Sequence, residues 1–263
     1  MKVPGKSNCH YYLVLVVFSL AIFSRDLVVY IPGYSEWANS LPELIRWTLQ
    51  PVRWLIIVIS GLYIAGYKIP CQWIEELGLN KPAGKVFVVA VVGVSPMLLG
   101  PMLMGLEFSS FQPWRWLFFA AIWPLTEEIL YRAYAFGQIY RHTKLGFWLA
   151  ALMTSAVFGL IHLAQASVQG LDLSGQVLTV LIISLGGLLY AWLYVRWSMN
   201  LWMPVAVHGL MNLSWQIYDL SATPLGGVEA NGLRLAAVVA LIGLTFYFTP
   251  AISSSDKNNT KLK

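Results

Sequence analysis

Apolar and polar positions alternate along this chain in long blocks. Stretches of about twenty mostly apolar residues, the length needed to cross roughly 30 Å of hydrocarbon, are separated by short polar connections. Eight such stretches lie near residues 11–24, 52–67, 86–106, 114–137, 147–164, 176–195, 201–218 and 233–250. The pattern predicts an all-α fold, a polytopic transmembrane helical bundle of about eight spans forming a single membrane domain over 1–263. The first stretch is short and runs into Arg25 and Asp26, so without it seven spans remain. No small-x-small cleavage site follows Ser24, and the stretch reads as a retained span.

The connections add detail. Leu41, Leu44, Ile45, Leu49 and Val52 recur at three- and four-residue spacing, which predicts an amphipathic stretch at the interface leading into the second span. Residues 68–85 mix Pro70, Gly78, Pro82 and Gly84 with Glu75 and Glu76 and read as a loop around one short helix. Gly170, Asp172 and Gly175 mark a short loop on the opposite side. Residues 253–263 read as a disordered cytoplasmic tail. His10 and His142 read as loop residues without partners.

Composition agrees with a membrane protein: 58% of the 263 residues are hydrophobic and 11% are charged, against about 25% charged in a soluble domain. Lys2, Lys6, Lys68, Lys81, Lys85, Arg141, Lys144, Arg196, Lys257, Lys261 and Lys263 fall on one side. Arg25, Arg46, Arg53, Arg115 and Arg234 fall on the other. The positive-inside rule then places both termini in the cytoplasm. The net charge of +5 is an orientation signal and a modest attraction to membrane lipids. No basic cluster is dense enough for nucleic acid. Cys9 and Cys71 fall on the reducing side, so no disulfide is expected. The 12 tryptophans gather near predicted span ends, as an aromatic belt does.

Candidate chemistry breaks the apolar pattern in three spans. Glu127 and Glu128 sit mid-run, where a charge costs about 2.5–3.5 kcal/mol even on the gentlest scale, so such acids usually face a polar cavity. Glu128 and Arg132 are four residues apart on one helix face, with the acid first, the better order for a pair. Glu127 is rotated about 100° away, and one arginine cannot serve both acids equally. One carboxylate is left over as a candidate general base. Phe158 and His162 in the fifth span, and His208 and Asn212 in the seventh, are each spaced i,i+4. At about 1.5 Å of rise per residue, Glu127, His162 and His208 lie roughly 21, 27 and 18 Å from the charged ends of their helices. These depths overlap within two turns, so one cavity can hold all three with Asn212.

Each residue also has a plain reading. A single histidine in a helix is more often a packing hydrogen-bond donor than a catalyst, and a Glu128–Arg132 pair is often structural. Phe158 is packing under any reading, and Gly159 and Gly209 allow helices to approach closely. Two histidines with a carboxylate also form a possible zinc set, Glu127, His162 and His208, although His-Glu-x-x-His is absent.

Together the motifs resemble the CAAX prenyl protease and bacteriocin-processing family of intramembrane proteases, which includes the Ras-converting type. That family is described by Glu-Glu-x-x-x-Arg, Phe-x-x-x-His and His-x-x-x-Asn on separate helices, and this chain has them in order between Glu127 and Asn212. Ala133 stands where glycine is frequent and Tyr131 where phenylalanine is. The resemblance implies catalytic helices over 114–218 and an endopeptidase acting near the C-terminus of a membrane-anchored or lipidated substrate. It implies water activated by Glu127 with help from His162. His208 and Asn212 would face the oxyanion, and Glu128, Arg132 and Phe158 would support them. It favours a mechanism without cofactor, with zinc as the alternative. A bacterial inner membrane is the expected location. Two other classes stay open: a proton-coupled transporter, against which the absence of an inverted repeat argues, and a non-catalytic immunity or assembly protein.

Overall fold

The computed structural model describes residues 8–220 and 225–249. The expected tail at 253–263, and Lys2, Lys6, Lys257, Lys261 and Lys263 of the charge tally, lie outside them. The described residues form helices joined by short turns: α1 (Asn8–Val28), α2 (Tyr34–Ser40), α3 (Glu43–Ile64), α4 (Pro70–Glu76), α5 (Gly84–Leu103), α6 (113–142), α7 (Phe147–Leu160), α8 (Leu163–Val168), α9 (Leu173–Arg196), α10 (Trp202–Tyr218) and α11 (Val228–Phe248). The all-α membrane reading holds. Large apolar side chains cover much of the outer surface, among them Val88, Leu103, Trp148, Leu185 and Leu235, as expected where the solvent is lipid.

The expected eight spans are not all realised as long apolar helices. Four described helices, α3, α5, α9 and α11, are long and apolar enough to cross a membrane. The apolar part of α1, Cys9–Ser24, and α7 are shorter. The chain turns at the end of α7, where the His162 amide bonds the Gly159 carbonyl. In α6 the charges Glu127, Glu128 and Arg132 interrupt the apolar run. The amphipathic stretch predicted before the second span is the opening of α3 itself.

Two apolar cores organise the bundle. One gathers α1, α3, α6 and α7 around Trp54, Leu62, Leu130, Tyr131, Phe136 and Phe158. The other joins α5, α9, α10 and α11 around Val94, Met97, Tyr190, Met203, Val207 and Leu241. The polar residues of the three motifs lie along the seam between them.

One end of the bundle is closed by α4 and the turn after it. Leu201 N bonds Gly78 O, Asn200 Nδ2 bonds Pro82 O, and Trp202 Nε1 bonds Leu79 O. Here the sequence reading of His10 and His142 needs correction. His142 Nε2 lies 3.0 Å from Glu76 Oε1 and 3.3 Å from the Tyr67 hydroxyl, and His10 Nε2 lies 2.9 Å from Gln138 Oε1. Arg141 completes an ion pair with Glu76 at 3.0 Å, and Gln138 donates to the same carboxylate. Burial alone would raise the Glu76 carboxyl, but the hydrogen bond from His142 and the Arg141 charge hold it below the ordinary carboxylate range. Cys9 and Cys71 are free thiols, both exposed.

Candidate active site

The site is built on a distortion of α6. Pro124 has no N–H to offer the carbonyl four residues earlier, and its ring crowds that carbonyl. The winding widens into π-helical turns over Phe118–Ile122 and again over Ile129–Phe136, a feature common at functional sites. One carbonyl in the turn before Pro124 is bonded from α10, and a second lies against it. Asn212 Nδ2 donates to Phe119 O at 3.2 Å. Gly209 lies so close to the Ala120 carbonyl that a Cβ there would collide with it. That approach carries His208 into the seam.

His208 meets both glutamates. Its Nδ1 is 2.8 Å from Oε1 of Glu128, a charge-assisted hydrogen bond. Its Nε2 is 3.6 Å from Oε2 of Glu127, near enough for ionic contact but beyond a hydrogen bond. Arg132 pairs with Glu128 from the other side, with Nε 3.1 Å from Oε2. That oxygen accepts no aligned hydrogen bond, so the contact is an ion pair. Glu127, Glu128 and Arg132 are all buried to within 2% of full enclosure. Two carboxylates face one permanent cation, and a buried excess charge is costly. Neutrality takes one more proton. With Nδ1–H committed to Glu128, it fits on the two groups left facing each other, His208 Nε2 and Glu127 Oε2.

Aromatic rings hold this cluster. The Arg132 guanidinium lies 4.4 Å from the Phe158 ring centre and 5.1 Å from that of Tyr190. Its Nη1 and Nη2 have no hydrogen-bond acceptor among the described residues, and the ring faces supply cation–π cover in its place. Tyr190 also stacks on His208, with centroids 5.1 Å apart and planes 22° from parallel. Its hydroxyl reaches Met211 Sδ at 3.5 Å. Close packing of α7 on α9 brings Phe158 and Tyr190 here, since a Cβ on Gly159 would collide with Ser184 and the Val180 carbonyl.

His162 is near the cluster without touching it. It follows α7, and its Nδ1 is 2.7 Å from the Phe158 carbonyl. Only a protonated Nδ1 satisfies that contact, which leaves Nε2 with its lone pair in the neutral ring. The His162 and Phe158 rings meet edge-on at 5.0 Å, and Phe158 is 6.2 Å from the His208 ring. Phe158 thus stands between the two histidines. Among the described residues, no three His, Cys, Asp or Glu side chains are placed to hold a metal ion, so the zinc set Glu127, His162 and His208 is not assembled in this arrangement.

All the sequence-predicted residues are therefore in one neighbourhood, with Glu127, His208, Glu128 and Arg132 linked in that order by successive contacts and His162 and Asn212 at its edges. Sequence reading missed Tyr190, which carries no polar motif in an apolar run, and the role of Pro124, which a helix breaker three residues before the acids could have signalled.

Residues 109–214 match the family model described as Type II CAAX prenyl endopeptidase Rce1-like. The chain is also 30% identical over 89 residues to the Bacillus subtilis (strain 168) protein named "Putative membrane peptidase YdiL", a match covering 34% of this chain and 30% of that protein. The chain thus spans under a third of the length of that relative. No solved structure matches it.

Proposed function

We propose that this chain is an intramembrane endopeptidase that hydrolyses a peptide bond with water activated by a glutamate, and that it works without a metal. The observation that carries the reading is the bridging of two adjacent buried carboxylates by His208, with one permanent cation, Arg132, paired with them among the described residues. Glu128 is held by both Arg132 and His208. Glu127 has the looser contact with His208, which suits it to proton transfer. The match of 109–214 to the prenyl endopeptidase family supports a membrane peptidase.

In the proposed reaction Glu127 takes a proton from water as the water oxygen adds to the scissile carbonyl carbon. His162 Nε2 accepts a hydrogen bond from the same water. The second N–H of Asn212, beyond the one spent on Phe119 O, faces the oxyanion together with the proton carried by His208. Collapse of the tetrahedral adduct breaks the C–N bond, and the Glu127 proton goes to the leaving amine. The substrate class is a membrane-anchored or lipidated protein or peptide cut near its C-terminus. The proposed location is a bacterial inner membrane with the α4 end and both termini cytoplasmic.

The test is cleavage of a panel of membrane-anchored peptides by protein reconstituted in liposomes, comparing wild type with Glu127→Gln, with and without a chelator. Cleavage that survives chelation and is lost in the variant is expected. Loss on chelation with recovery on adding zinc would transfer the chemistry to a metal, and equal cleavage by the variant would remove Glu127 from its role.

A further inference from the structure

At the end of the bundle opposite α4, where α1 ends and α3 begins, lies a groove of about 420 Å³. Its polar wall is a stripe of α3. Arg46, Gln50 and Arg53 recur at i, i+4 and i+7, on one face of that helix. No lining residue is acidic, so the two arginines leave a net positive groove. Arg53 is fixed there: Nη1 donates to the Tyr34 hydroxyl, and its buried Nε has no acceptor among the described residues.

The facing wall is aromatic. Trp47 meets the Phe118 and Phe119 rings at 5.4 and 5.7 Å, and Phe118 meets Trp123 at 5.8 Å. Around the rim, Val29, Tyr30, Ile31, Trp37 and Ile45 are exposed, so the groove continues into an apolar outer surface. It opens where α1 ends and α3 begins, and aromatic side chains of this kind are enriched where membrane helices meet lipid headgroups.

We propose that this groove binds an anionic phospholipid, its phosphate between Arg46 and Arg53 and the start of its acyl chains on the aromatic wall. Charge complementarity selects an anion, guanidinium forks suit phosphate, and the open apolar rim selects a ligand that arrives from the bilayer. The groove ends at Trp123, one helical turn before Glu127, so the bound lipid braces the turns of α6 that shape the site.

The experiment is thermal unfolding of the full chain in non-ionic detergent, titrated separately with dioctanoyl phosphatidylglycerol, dioctanoylglycerol, inorganic phosphate, and an apolar peptide with a free C-terminal carboxylate. Saturable stabilisation by phosphatidylglycerol is expected. In Arg46→Gln/Arg53→Gln the apparent affinity should fall at least about tenfold, a difference of about 1.4 kcal/mol. Arg115→Gln, an exposed cation outside the groove, should bind as the wild type does. If the double variant does not fold, Arg46→Gln alone, whose side chain is exposed, should still weaken binding. Unchanged affinity in the arginine variants overturns the proposal. So does equal protection by dioctanoylglycerol or by phosphate alone, or protection by the peptide with none from the lipid.

Discussion

His208 donates through Nδ1 to Oε1 of Glu128 at 2.8 Å, joining two residues 80 positions apart in the chain inside a closed apolar environment. That bond aims Nε2 at Glu127, sets the imidazole against Tyr190, and ties α10 to the distorted helix α6.

The two glutamates should separate in mutation. Glu127→Gln removes the proposed base without stranding a cation, so unfolding temperature should stay near wild type while cleavage falls about 10²–10⁴-fold. Glu128→Gln leaves Arg132 buried without its counter-charge, which costs about 3–5 kcal/mol. Thermal unfolding in detergent beside a cleavage assay reads both. A stable, inactive Glu128→Gln with an active Glu127→Gln would exchange their roles.

Tyr190 is expected to act through its ring. Tyr190→Phe keeps the stack on His208 and the cover over Arg132, and should retain most activity and stability. Tyr190→Ala removes both and should destabilise by about 3–5 kcal/mol, as loss of a buried aromatic does. Equal behaviour of the two variants in a melting curve would shift the role to the hydroxyl.

Gly209→Ala tests the approach of α10 to α6. The added Cβ meets the Ala120 carbonyl, which cannot yield as a flexible side chain would. The variant should lose about 1–3 kcal/mol of stability from overpacking, with a drop in cleavage as His208 is displaced. A variant that melts and cleaves like wild type would show that the helices have room.

Asn212→Ala should divide stability from rate. Its bond to the Phe119 carbonyl is worth about 1 kcal/mol, whereas loss of an oxyanion donor costs about 10²–10³-fold in kcat. A kcat unchanged beside a lowered melting temperature would make Asn212 structural only.

At the α4 end, acid should loosen the bundle. Glu76 has a folded pKa lower than its unfolded value, so its contribution is fully present above the ordinary carboxylate pKa of about 4.3. It is lost as the pH falls through the depressed folded value. The difference in unfolding temperature between wild type and Glu76→Gln should therefore be largest near neutrality and shrink below that range. A difference that does not change with pH would exclude the linkage.

The membrane character, the helical class, the short helix inside 68–85 and the pairing of Glu128 with Arg132 were all legible in the sequence. Each depends on composition or on spacing along one helix, and those are local properties. The depth argument also held for Glu127 and His208. The buried turn at Asn200 and Leu201 feeds α10 into the bundle, and His208 reaches the level of the acids.

The rest came from packing. Span length could not be read where a helix stops early, as α7 does, because a continuous apolar run does not show where its backbone turns. Nothing local said that His10 and His142 meet Gln138 and Glu76, since those partners lie on other elements. Tyr190 was invisible because an aromatic in an apolar run looks the same whether it faces lipid or a histidine. The sequence by itself determined which residues can carry charge and proton chemistry, and that they sit within apolar helices. Only the tertiary structure decided which lone pair faces which proton, because that depends on how closely α10 can approach the turn of α6 before Pro124.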